Sequence, residues 1–221
     1  MLKKLFSYIL PFNILKQKSN FSKTLEVTWA NGELVLDSKN TNYSYGSLQR
    51  ILRKGLKFIG FEKVKAMNNI LVLGVAGGSV IKTLVNEIHF EGKITGVEID
   101  KAIIDIANEY FHLDKIQNLE IVIDDAFEFV LKTKDKYDLI IIDIFQDTTM
   151  PNFLFEKYFT DRLCLILQSK GFILFNTMLL NDKQKQLNMD FFNAFEPTKY
   201  AVKKLHKVEE MNELIIIESR L

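Results

Sequence analysis

The sequence is poor in the residues that build several common kinds of site. A single cysteine, Cys164, stands in 221 residues, which excludes an internal disulfide and fits a reducing, cytoplasmic setting. Its neighbours Leu163, Ile166 and Leu167 follow a helical apolar pattern, so the thiol reads as a small buried hydrophobe. The histidines, His89, His112 and His206, lie far apart with no histidine or cysteine partner at ligand spacing, and no metal is expected. No serine occupies a Gly-x-Ser-x-Gly turn, which removes the usual hydrolase nucleophile. Charge of one sign is also missing: 29 basic and 28 acidic residues leave a net +1, so no overall field points to nucleic acid. Lys203, Lys204 and Lys207 form a small basic cluster that reads as solvated surface. No apolar run approaches the ~20 residues needed to span a bilayer. Internal repeats, low-complexity tracts and Pro/Gly linkers are absent too.

What is present is enough apolar sequence, 48%, to bury a substantial core in one domain with a small appendage. The appendage takes residues 1–66. In MLKKLFSYILPFNILKQKSN, residues Leu2, Leu5, Phe6, Ile9 and Leu10 recur at helical spacing, with Lys3 and Lys4 outside the stripe. Pro11 and the lack of a small-residue cleavage site argue against a signal peptide. The stripe is expected to pack on the protein's own surface or on a second subunit, with a membrane surface as the alternative. TLEVTWANGELVLDS then alternates apolar and polar residues around Asn31-Gly32, the pattern of a tight β-hairpin. This front hairpin could also pair two subunits into a homodimer. Tyr45, Leu48, Leu52 and Leu56 follow at the spacing of an amphipathic helix ending before Gly60.

From residue 67 to 221 the rhythm is strand, helix, strand, helix. The apolar runs ILVLG, ITGVEI, LEIVI, YDLIIID and GFILFNT alternate with helical stretches near 79–89, 100–111, 126–133, 153–168 and 182–195. Unbroken Val/Ile/Leu strands belong to a parallel sheet covered on both faces. YAVKKLHKV and ELIIIES close the chain as an antiparallel pair. The expected fold is an open, Rossmann-like α/β sheet.

In such a sheet ligands bind beyond the carboxyl ends of the strands. The first strand ends in Gly74-Val75-Ala76-Gly77-Gly78, where small residues allow close approach and a helix start offers N–H donors. The second ends in Glu98, 24 residues after Gly74, a position suited to ribose hydroxyls. Asp100 reads as the cap of the helix that starts at Lys101. The third ends in Asp124-Asp125-Ala126, where one carboxylate could accept from the adenine amine and the other cap the helix AFEFVLK. The fourth ends in Asp143, half-desolvated at the mouth of the cleft, where a proton acceptor is useful. A glycine loop followed by three acidic strand ends suits a neutral or cationic nucleoside and would repel a pyrophosphate.

NYSYGSLQ (42–49), ILVLGVAGGSV (70–80), VEIDKAIIDIANEYF (97–111), IDDAFEFV (123–130), KYDLIIID (136–143) and LFEKYF (154–159) together carry a resemblance. Across roughly residues 25 to 180 the chain resembles the spermidine synthase-like branch of the class I S-adenosylmethionine-dependent transferases. The resemblance implies a seven-stranded sheet of order 3-2-1-4-5-7-6, mostly parallel with an antiparallel last strand. It also implies S-adenosylmethionine, or its decarboxylated form, as cofactor. By position, Gly74, Ala76, Gly77 and Gly78 would serve the methionine-like part, Glu98 the ribose, and Asp125 with Ala126 the adenine. Asp143 would be the catalytic aspartate, and Tyr45 and Gln146 would touch the acceptor.

The departures bear on the reaction. Gly77 stands where aminopropyltransferases carry an acid, Gln146 where they carry a second acid after the catalytic one, and Ser47 where an acid follows the pocket tyrosine. A polycationic acceptor needs several carboxylates. Methyl transfer to a small molecule is therefore expected first and aminopropyl transfer second. A non-catalytic nucleoside-binding or interaction protein is a third reading. A nicotinamide dehydrogenase is the fourth, weakened by Ser79 at the third glycine position.

Overall fold

The computed structural model describes the chain apart from residues 1, 39–41, 45–46, 146–148, 207 and 210. Tyr45 and Gln146, both expected at the acceptor site, lie outside the described residues. The elements in chain order are α1 (Leu2–Phe6), β1 (Phe12–Gln17), β2 (Leu25–Ala30), β3 (Glu33–Ser38), β4 (Asn42–Ser44), α2 (Ser47–Ile59) and α3 (Phe61–Lys65). Next come β5 (Asn69–Leu73), α4 (Ser79–Lys82), β6 (Lys93–Glu98), α5 (Lys101–Phe111), β7 (Leu119–Ile123), α6 (Ala126–Lys132) and β8 (Tyr137–Ile142). The chain closes with α7 (Lys157–Ile166), β9 (Leu167–Met178), α8 (Asp182–Asn193), β10 (Tyr200–Leu205) and β11 (Asn212–Ser219).

Seven strands form one sheet in the order β10-β11-β9-β8-β5-β6-β7. This is the expected 3-2-1-4-5-7-6 order read from the opposite edge. Pairings from β7 through β9 are parallel, while β11 is antiparallel to both its neighbours. The continuous apolar strands are two-faced. In β5, Ile70 and Val72 join one core layer and Leu71 and Leu73 the other, all fully buried. The first layer is covered by α2, α4 and α5 through Leu52, Leu56, Ile81 and Ile104. The second is covered by α7 and α8 through Phe159, Leu163 and Phe191. Burial on both faces, at roughly 1.5–3 kcal/mol per large apolar side chain, is why these strands do not alternate.

The N-terminal residues form a separate four-stranded antiparallel sheet, β1-β2-β3-β4. Asn31 and Gly32 turn β2 into β3 with φ of 50° and 79°, the positive pair that a two-residue hairpin demands. Leu25, Val27 and Leu36 pack this sheet on Ile103, Ile106 and Phe111 of α5. Three local expectations need correction. The helical stripe of residues 2–10 shortens to α1, and residues 12–17 become strand β1, because pairing with β2 satisfies backbone groups that an isolated short helix leaves open. Of its apolar residues, Leu5, Phe6, Ile9 and Leu10 are largely exposed rather than covered by the protein's own surface, while the Tyr8 ring lies over Gly32. The helix expected over 79–89 is α-helical only to Lys82 and continues as a π-turn, Thr83–Glu87. Cys164 is half-buried against the second core layer rather than sealed within it, and burial still pushes its thiol up.

Candidate active site

The chain leaves β5 for β6 and β7 on one side and returns through β8 on the other, so the strand order reverses between β5 and β8. A cavity of about 290 Å³ opens at the carboxyl ends of these strands. It gathers Gly74 and Ala76 after β5, Glu98 and Asp100 at the end of β6, Asp124, Asp125 and Ala126 after β7, and Asp143 after β8. Among the described residues its wall holds five carboxylates and no lysine, arginine or histidine.

The glycine loop is drawn tightly over the strand ends. Gly74 has φ 88°, and a Cβ there would lie 2.2 Å from the carbonyl oxygen of Asp143. Glycine is what lets the two strand ends touch. Ala76 takes φ 47°, a left-handed conformation that an L-residue enters only at some cost. Gly78 sits behind the loop, away from the cavity wall. It is the residue before α4 and faces Leu113, whose Cδ1 would be 2.4 Å from an added Cβ. Gly77 is likewise not among the residues of that wall.

Glu98 ties this loop down. Its Oε2 accepts from the backbone N–H groups of Val75 (3.1 Å) and Ala76 (3.0 Å), and its Oε1 from that of Asp100 (3.1 Å). Three of a carboxylate's roughly four acceptor positions are thereby taken. The two-hydroxyl grip expected from this residue is reduced to about one position. Burial pushes the Glu98 carboxyl up, and the three N–H groups work against that shift by favouring the charged form. Asp100 caps α5 through Ala102 N–H (3.0 Å), as expected, and also accepts from the Ser19 hydroxyl in the connection between β1 and β2. Asp125, not its neighbour, caps α6: its Oδ1 accepts from Phe127 N–H at 2.7 Å. Asp124 Oδ1 accepts from Asp125 N–H at 2.9 Å.

Asp143 is held differently. Its Oδ1 accepts from the side-chain amide of Asn176 at 2.9 Å, and Asn176 Oδ1 accepts in turn from Asn212 Nδ2 at 3.0 Å. Asn176 is fully buried at the end of β9. Burial raises the Asp143 carboxyl to about 6; the nearby Glu98 charge adds to the rise and the Asn176 amide opposes it. The rest of the wall is apolar and comes from two places. Ile144, Phe145, Pro151 and Phe153 follow β8, and Phe21 reaches in from the β1–β2 connection beside Ser22. Phe153 is held from behind by Phe127 and Phe159, at 5.4 Å and 5.0 Å between ring centroids.

Most expected residues therefore meet in one cavity: Gly74, Ala76, Glu98, Asp125, Ala126 and Asp143. Sequence reasoning missed Asn176, although the rule used for the other strands would have found it, since it ends the apolar run FILF. Ser19, Phe21 and Ser22 carry no such signal, because the chain reaches the cavity there only through the packing of the second sheet.

Comparison with known proteins follows the geometry. The spermine/spermidine synthase domain matches residues 50–202. A polyamine aminopropyltransferase from Buchnera aphidicola is 31% identical over 156 residues, covering 61% of this chain and 53% of that protein. A Drosophila melanogaster protein named eEF1A lysine and N-terminal methyltransferase homolog is 24% identical over 66% of this chain and 23% of its own length. The crystal structure of spermidine synthase from Thermotoga maritima superimposes with a TM-score of 0.71 at 17% identity, covering 95% of this chain and 73% of that one. The chain spans about half or less of the length of the curated aminopropyltransferases that it matches. The domain match takes in β5 through β9 and every expected donor-site residue, and on that extent the chain belongs to the spermine/spermidine synthase family.

Proposed function

We propose that the protein is a transferase that moves an alkyl group from an adenosine sulfonium to a small amine, with aminopropyl transfer from decarboxylated S-adenosylmethionine as the first reading. The observation that carries it is the carboxylate-walled cavity at the switch point of this family's sheet. The sequence alone put methyl transfer ahead of aminopropyl transfer. The family match and the names of the relatives favour the reverse order. Methyl transfer from intact S-adenosylmethionine stays as the second reading, supported by Gly77 at the position where an acid would repel the donor's carboxylate.

The residues present suit such a donor: the wall is anionic, and Gly74 and Ala76 line it without bulky side chains. A bound sulfonium supplies a carbon already joined to a neutral thioether leaving group, so the protein does not have to activate it. Its tasks are alignment and removal of one proton. Asp125 and the remaining acceptor position of Glu98 are assigned to the nucleoside's polar edges. Asp143 receives the proton shed by the attacking amine as the new C–N bond forms and the C–S electron pair withdraws to sulfur. A carboxylate raised to about 6 is mostly ionised near neutral pH and more basic than an exposed one. The apolar wall of Ile144, Phe145, Pro151 and Phe153 suits an acceptor with one charged end and an apolar body better than a polycation.

Calorimetry with each donor form, followed by mass spectrometry of mixtures with mono- and diamines, tests the assignment. Methylthioadenosine released only when decarboxylated donor and amine are both present is the expected result. Adenosylhomocysteine from the intact donor would move the assignment to methyl transfer. Binding of neither donor would overturn both readings.

A further inference from the structure

Asp143, Asn176 and Asn212 stand in a row across the ends of three neighbouring strands. Ile142 of β8 lies beside Phe175 of β9, which brings Asp143 next to Asn176. Asn212 opens β11 opposite Met178, two residues on from Asn176 and so on the same face of the sheet. Asp143 lines the cavity, whereas Asn176 and Asn212 are not among the residues of its wall.

Hydrogen-bonding capacity gives the row a direction. An ionised carboxylate only accepts, so Asp143 Oδ1 takes the NH2 of Asn176 at 2.9 Å. The Asn176 carbonyl is thereby turned toward Asn212, whose own NH2 meets it at 3.0 Å. Turned over, the Asn176 amide would set its oxygen against the carboxylate and its NH2 against that of Asn212, acceptor on acceptor and donor on donor. Asn212 is tied by its backbone into the turn between β10 and β11. Its carbonyl accepts from Val208 N–H and its N–H donates to the Glu209 carbonyl, both at 3.2 Å.

The charged groups facing Asp143 are Glu98 at the end of β6 and, on the same wall, Asp100, Asp124 and Asp125, all of one sign. Beside Asn212, Glu209 pairs with Arg50 of α2 at 3.0 Å. Glu213 turns to the other face of β11, where Lys204, His206 and Asn188 of α8 meet it. Among these described neighbours, the Asn176 amide is the group that favours the ionised form of Asp143.

We propose that Asn212 is a positioning residue for the proton acceptor: by donating to Asn176 it fixes the amide that holds Asp143 ionised. The role rests on the transfer reaction proposed above, in which Asp143 takes the proton. The test is a carbon-13 NMR titration of the Asp143 carboxyl in the full chain without substrate, its signal identified by its loss in Asp143→Asn. Asn212→Asp keeps the shape of the side chain, but once ionised it cannot donate. The Asp143 midpoint should rise by about one to two pH units in that variant. With Asn176→Ala already present it should rise by less than about half as much, because the new charge then acts only through space. Asn212→Leu, a second variant that adds no charge, should raise the midpoint by about half a unit. The acidic limb of kcat/KM should move with each midpoint. A midpoint that neither variant moves overturns the proposal, as does an equal rise with and without Asn176. A midpoint that moves as expected in a chain that transfers no group from either donor supports the positioning and overturns the transfer reading instead.

Discussion

The two sides of the cavity are built by different means. On the side proposed for the donor, Glu98, Asp100, Asp124 and Asp125 each accept from backbone N–H groups within a few residues of a strand end or helix start. On the side proposed for the acceptor, Asp143 is oriented by a side-chain amide from β9, and the walls come from the loop after β8 and from the connection between β1 and β2. Main-chain donors are fixed by the fold itself, so the donor side is preorganised whatever its neighbours do. A carboxylate held by one amide can be retuned by a single substitution, and loop walls can change without disturbing the sheet.

Asp143→Asn should break the acceptor side most severely, lowering kcat by about 10²–10⁴-fold while donor affinity by calorimetry stays near the parent value. The same change should stabilise the fold at neutral pH. With the native carboxyl near 6 and the unfolded one near 3.8, the unfolded chain loses its proton first as pH rises. Stability therefore falls between about pH 4 and pH 6, by up to about 3 kcal/mol, and chemical denaturation of the variant should lack that decline.

Glu98→Ala attacks the donor side instead. It strands three backbone N–H groups, and urea unfolding should register a loss of about 3 kcal/mol together with weakened donor binding. If stability drops but donor affinity does not, Glu98 serves the loop alone. Asn176→Ala sharpens the contrast more gently. Removing the amide that favours the charged form should move the acidic limb of the kcat/KM profile upward by about one pH unit, a change that loss of packing alone would not produce. The smallest effect belongs to Ala76→Gly, which relieves a left-handed alanine and should add under about 1 kcal/mol of stability in thermal melts.

Much of this architecture was legible from residue patterns. Runs such as Leu139–Ile142 are apolar at every position, which a sheet covered on both faces requires, and the acids that end such runs marked the cavity. The Asn31-Gly32 turn was legible because few pairs tolerate positive φ twice in succession. Strand β1 was not: FNILKQ has no clean alternation, and its pairing with β2 includes a bulge between Asn13 and Leu15. Nor was it visible that Ser19 would reach Asp100, 81 positions away, since that contact depends on Leu25, Val27 and Leu36 packing against α5.

Composition and periodicity by themselves determined the class of sheet, where its strong strands fall along the chain and the acids at their ends, because each of these is a local consequence of burial or of backbone geometry; the order of the strands in the sheet was carried by the family resemblance. Tertiary structure alone decided how many of Glu98's acceptor positions the loop takes, which amide orients Asp143, and whether the first apolar residues are covered. Those outcomes depend on groups far apart in the chain meeting in space, and nothing in the order of the residues encodes such a meeting locally.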